Sequence, residues 1–178
     1  MKISILLIVF NLSFFQISKV FSQDTTVFRQ INTEVWDKFE KAFRTNDAAL
    51  FNSLQAKDVL RIPADSKTIL SGHEYLDSQI KSFQWVKENG FKTEMELRFI
   101  ERINFGSDAS EKGIFKFTVT EPDSTHRYYY GKFHVLLKQQ ADKTWKITMN
   151  YDSSEKGTVD ENDFKEAYDE WNFTPFLN

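Results

Sequence analysis

Several groups of side chains have the types and spacing to do chemistry. His73 and Glu74 stand side by side after Gly72, and Asp58 lies a short way upstream. Brought to one point they would supply an imidazole and two carboxylates, enough for a general base or a pair of metal ligands. The competing reading is local: Glu74 caps a helix and His73 is solvated in its first turn, where such residues are favoured without any function. Asp58 and Asp65 equally read as turn residues. Arg61 sits in the short apolar run Val59-Leu60-Arg61-Ile62, where it can reach an anionic ligand or make a surface ion pair. Tyr128, Tyr130, His134 and Lys116 share one strand parity, so they form a ligand surface, a dimer face or an ordinary solvent face. The catalytic candidates are therefore His73, Asp58 and His134.

Asp152 to Phe164 resembles a calcium loop, with Gly157 and Val159 where an EF-hand wants a glycine and a hydrophobe. Lys156 occupies a ligand position, Asp163 stands where a bidentate Glu is usual, and a strand precedes the loop. No metal and no cofactor is expected. The chain has no cysteine, which removes disulfides, thiolate zinc sites and a cysteine nucleophile. Zinc-type histidine pairs, a glycine-rich phosphate loop and a nucleophile elbow are missing too. Asn172-Phe173-Thr174 is a glycosylation sequon by pattern only.

The elements that must position these residues follow from periodicity. Thr26 to Thr45 predicts a first helix with Val27, Ile31, Val35, Phe39 and Phe43 at helical spacing and Phe28, Trp36 and Ala42 beside them. Asp47 caps a second helix, Ala48 to Gln55. Val59–Ile62, stopped at Pro63, and Thr68–Leu70 predict two small strands joined by a turn. Ser71 and Glu74 fit a capping box for a third helix, about His73 to Lys87. From Phe91 the period becomes two: Phe91, Thr93, Met95, Leu97 and Phe99 alternate with charges, and Ile100 breaks the alternation as a bulge would. Asn104 to Ser110 reads as a turn. Strands follow around Phe115–Val119, from His126 to Lys138, and from Trp145 to Tyr151. Asp160 to Trp171 reads as an amphipathic helix with Phe164, Ala167, Tyr168 and Trp171 on one side.

Met1–Ser22 has a lysine, an almost wholly apolar run from Ile3 to Phe15, and compact residues at Val20 and Ser22. That is the pattern of a secretory signal peptide, cut after Ser22. The run is short for a membrane span, so no stable membrane anchor is expected after cleavage. The product would be exported, periplasmic or secreted. At 178 residues, 40% hydrophobic with 18 phenylalanines, the chain can build one aromatic-rich core. Its net charge of −3 argues against a nucleic-acid partner.

The order of these signals carries a resemblance. Trp36, Phe39 and Phe43 on a first helix, Asn46-Asp47 between helices, then Asp58, Pro63 and Gly72, and Trp145-Lys146-Ile147 on a late strand, resemble the nuclear transport factor 2-like superfamily. Within it the chain is most similar to SnoaL-like and ketosteroid-isomerase-like proteins, over roughly residues 27 to 152. The resemblance implies an α+β cone: three helices from the N-terminal half packed on a strongly curved antiparallel sheet, with an extra C-terminal helix. It divides the chain into a signal peptide (1–22), the cone (23–152) and a C-terminal helical extension (153–178). It implies a pocket between helices and sheet and no particular chemistry. Steroid isomerases of the family place a carboxylate before the hairpin proline and a tyrosine on the first helix. Here those positions hold Ile62 and Phe39, which neither carry a proton nor donate a hydrogen bond. The expectation is a pocket lined or floored by Trp36, Phe39, Ile62, Tyr75, Met95, Phe117, Tyr129 and Trp145, binding a small apolar molecule, in a protein that can pair as a homodimer. A cyclase-, dehydratase- or isomerase-type enzyme using a pocket His or Asp stays open, as does a protein-interaction module.

Overall fold

The computed structural model describes residues 25–177; the signal-peptide expectation for Met1–Ser22 lies outside them. The first helical segment, α1 (Thr25–Ile31), runs through a π-helical turn (Asn32–Trp36) into α2 (Asp37–Thr45) with helical backbone at both junctions. It ends at Asn46, whose left-handed backbone (φ 54°) turns the chain. Asp47 then caps α3 (Ala48–Ser53), its carboxylate accepting from the Leu50 N–H at 2.8 Å. Strand β1 (Gln55–Pro63), the two-residue β2 (Leu70–Ser71) and α4 (Gly72–Glu88) complete the N-terminal half. Ser71 precedes α4 without a side-chain capping bond, so the expected capping box is not formed. Gly72, the first residue of α4, has φ +49°, and a Cβ there would stand 2.9 Å from the Lys57 carbonyl oxygen.

Four long strands follow: β3 (Lys92–Phe105), β4 (Asp108–Thr120), β5 (His126–Gln139) and β6 (Trp145–Ser153). The described residues form one seven-stranded sheet in the order β2-β1-β6-β5-β4-β3-β7, antiparallel except for the parallel pair β1–β6. The helices pack on its concave face over an aromatic core in which Trp36, Phe39, Phe51, Phe99 and Phe133 touch ring to ring.

Two bulges bend this sheet and change which residues face inward. In β3 the register against β4 slips between Phe99 and Glu101, at Ile100, where the sequence breaks its alternation. Gly113 lies opposite; a Cβ there would stand 1.9 Å from the Arg98 carbonyl oxygen, so only glycine permits this approach. In β6 the register against β5 slips between Leu136 and Leu137, leaving Thr148 as the extra residue. Because side chains alternate with period two, one extra residue sends every later residue to the opposite face. Past Ile100 the inward residue is Arg102, and past Thr148 the inward residues are Asn150 and Asp152. The segment 104–110, expected as a turn, is therefore mostly strand.

The C-terminal extension is less helical than expected. Helix α5 covers only Glu161–Glu166, under a capping box between Asp160 and Asp163. At Ala167 the backbone turns extended, and β7 (Tyr168–Asp169) adds to the edge of β3, with Phe99 opposite Tyr168. Phe164 and Ala167 pack on the outer sheet face against Ile114, Val159 and Tyr130. Tyr168 and Trp171 are exposed, while Phe173 and Phe176 tuck under the edge against Phe28. The extension is a strap around the β3 edge.

Candidate functional site

Between the helices and the concave sheet lies a cavity of about 120 Å³. Its apolar wall comes from Trp36, Phe39 and Phe43 on the first helix, Phe51 on α3, Met95 and Leu97 on β3, and Phe133 and Val135 on β5. These lie on the core-facing stripes of their elements, as the periodicity requires.

Its other wall is polar. Arg61 on β1 makes an ion pair with Asp152 on β6, and reaches the Asn150 carbonyl and side-chain oxygens at 3.3 and 3.4 Å. Arg61 and Asn150 are register partners across the parallel pair, which is what brings the guanidinium to the carboxylate. The Arg61 guanidinium lies 5.8 Å from the centre of the Tyr75 ring, and Tyr75 shares this wall with Asn150. Gln79, one turn along α4, completes this wall. Burial raises the pKa of Asp152, with Arg61 pulling it back, and burial also raises that of the Tyr75 phenol, so Tyr75 remains protonated and able to donate.

Four of the eight expected lining residues, Trp36, Phe39, Tyr75 and Met95, line this cavity. Four do not. Ile62 has the opposite parity to Arg61 on β1, so its neighbour faces in. Trp145 is buried in the core beside Ile147, before the β6 bulge. Phe117 and Tyr129 lie further along β4 and β5, at a separate groove near the end of α4. None of the catalytic candidates lines the cavity. His73 and Asp58 are exposed. His134 points to the outer sheet face, bonded to Ser110 at 2.9 Å, with its pKa lowered first by burial and then by Lys112. Sequence reading marked Arg61 but missed Asp152 and Asn150 as cavity residues. Their parity against Tyr151 was the available signal, and the bulge at Thr148 hid it. Asp152, first residue of the calcium-like loop, is taken by Arg61, and Asp65 accepts from the Ser153 hydroxyl and the Ser154 N–H at 3.0 and 2.6 Å. Among the described residues no group of three acidic, His or Cys side chains is placed to hold a metal ion.

A second polar cluster is sealed from solvent. Arg102 on β3 and Glu111 on β4 are register partners with fully buried side chains 2.7 Å apart. Trp36 Nε1 donates to the other Glu111 oxygen at 2.6 Å, and Arg102 donates to Asn32 Oδ1 at 2.6 Å and to the Glu170 carbonyl at 2.8 Å. Asn32 and Trp36 open and close the π-helical turn. Burial raises the Glu111 pKa against the opposing pull of Arg102 and Trp36. Phe28, Phe99 and Phe173 surround the guanidinium at 4.2 to 5.5 Å. This cluster ties helix, sheet and strap together and has no opening to a ligand.

A cone of helices on a bent sheet, hollow at its concave face, has solved counterparts. A conserved protein from Planctomyces limnophilus superposes with a TM-score of 0.60 at 17% identity, covering 72% of this chain and 95% of its own. A nuclear transport factor 2-like superfamily protein from Salmonella enterica serovar Typhimurium gives 0.57 at 15% identity, covering 73% and 92%. The chain has the nuclear transport factor 2-like fold. A ketosteroid isomerase-like protein from Erwinia carotovora matches too, with a TM-score of 0.55 at 15% identity over 71% and 94%. No protein-family model and no curated protein matches the sequence. On this nuclear transport factor 2-like frame the strap lies downstream of the cone, and the polar wall belongs to the cavity that the cone encloses.

Proposed function

We propose that this chain is an exported binding protein that holds a small, largely apolar molecule in the cavity beneath its helices. The observation that carries this reading is the wall composition: rings and aliphatic side chains on most sides, and one polar patch whose charges neutralise each other. Such pockets bind by apolar burial and orient by a few polar groups. The volume sets the scale: at about 120 Å³ it is somewhat below the roughly 150 Å³ of an apolar cavity that takes benzene, so it suits one small ring at most. The compartment rests on the leader-like run before Ser22, and intact-mass measurement of an exported product beginning at Gln23 tests it.

Toluene is the simplest probe of the cavity. Calorimetry and thermal melts of the full chain should show saturable binding and a raised Tm, because a ligand that binds only the folded state stabilises it. Val135→Phe, which fills the cavity, should abolish both effects. Absence of any bound toluene and of any Tm shift in the unaltered protein would refute the reading.

One observation favours a second reading. Asp152 is the only carboxyl among the described residues that line the cavity, and burial holds its pKa above the usual carboxylate range. A base in that position would abstract a proton from a bound ring or carbonyl compound, with Tyr75 as hydrogen-bond donor to the developing charge. Turnover of such a compound, lost in Asp152→Asn with binding retained, identifies this case.

A further inference from the structure

The cavity has a neighbour across its aromatic wall. Phe43 and Gln79, which line it, also line a narrow space of about 40 Å³ under the middle of α4. Ser82, Val86, Thr93 and Phe117 line that space and also line an open groove of about 550 Å³ beyond it. Cavity, neck and groove thus share walls in sequence beneath α4. The groove is aromatic: Trp85 stacks on Phe91 with ring centres 5.2 Å apart, and Tyr129 lies beside Phe117 at 6.4 Å. Trp85 and Tyr129 are about half exposed, at 55% and 50%. At the rim, Arg127 is ion-paired with Glu121.

The geometry points to a linear single-chain amphiphile as the ligand, its tail threaded through the neck into the cavity and its polar head at the groove rim beside Arg127. This rests on the binding reading above and names the ligand class. The neck decides the class. A space of about 40 Å³ has room for a few waters or a short stretch of a single alkyl chain, and none for fused rings. The direction follows from charge. Inside, Arg61 is already neutralised by Asp152, and a charged head there would lose its hydration with nothing to replace it. Outside, the Arg127–Glu121 pair is solvated, and exposed pairs contribute so little that a carboxylate head can exchange into it.

Decanoate, below its micellar concentration, tests the path against toluene. Calorimetry on the full chain should show one saturable decanoate site, with toluene and decanoate competing for the cavity. Ser82→Phe narrows the neck and should weaken decanoate at least tenfold while toluene still binds. Trp85→Ala, at an exposed position that leaves the fold intact, should weaken decanoate several-fold, with no effect on toluene. Toluene binding without competition from decanoate would overturn the path and leave the binding reading standing. Unchanged decanoate affinity in both variants would do the same. Failure of toluene itself would instead overturn the binding reading.

Discussion

Arg102 and Glu111 show what a buried charge costs at the level of one residue. Each has surrendered all its water, and the pair is tolerated because Asn32, Trp36 and the Glu170 carbonyl hydrogen-bond to it. Glu111→Ala leaves an unpaired guanidinium among phenylalanine rings and should cost about 3–5 kcal/mol in urea unfolding. Arg102→Met with Glu111→Leu removes both charges and should recover most of that loss. Next to this cluster, two carboxyls behave differently. Glu40 on α2 and Glu170 on the strap are each pushed up to about 7, by burial first, then for Glu40 by Glu170 and for Glu170 by Asp37. Arg44 and Arg102 pull the other way, and Asp37 and Asp169 add to the push. The folded state therefore holds these protons more tightly than the unfolded chain. That stability is fully present below about pH 4.5 and is lost as pH rises through about 7. Melting temperature should fall from pH 5 to pH 8, and Glu170→Gln should flatten the fall; because the carboxyl is partly exposed and screened by solvent, the gain at pH 8 should be about 1 kcal/mol or less.

Single elements show where sequence was legible and where it was not. The helical stripes, the Asp47 cap, the order of strands and the bulge at Ile100 follow from periodicity, and the structure has them. What followed from the bulge was not visible. Asn104 to Ser110 reads as a turn; in fact most of it is strand, and Arg102 and Glu111 on either side of it are a cross-strand pair turned inward by one extra residue. Asn150 and Asp152 were hidden in the same way by Thr148, which nothing in the local sequence marks. The C-terminal helix was over-read because Phe164, Tyr168 and Trp171 fit a helical period, yet hydrogen bonding to the open β3 edge wins after Ala167. That edge would otherwise present unpaired backbone groups. Two substitutions test these elements. Gly113→Ala drives a methyl into the Arg98 carbonyl and the Phe133 ring and should cost at least about 3 kcal/mol. In the strap, Phe173→Ala should cost about 3–5 kcal/mol and Trp171→Ala clearly less, since Phe173 is buried and Trp171 is half exposed.

Across the whole molecule, one long-range pairing joins the two halves. Strand β1 has only the short β2 on one side, and on the other it leans on β6, with Leu60 opposite Met149 and Pro63 opposite Asp152. The intervening chain holds α4 and the three other long strands. Closing so large a loop costs entropy before any contact returns it, and parallel pairs of this kind form slowly. Half of the polar wall, Arg61, therefore has no partner until the last strand has been made. A chain emerging from a ribosome stays open until Ser153 has cleared it, and then closes in one late step. A fragment of residues 25–144 should accordingly show no cooperative melt by circular dichroism, although it carries α1 to α4 and three of the four long strands.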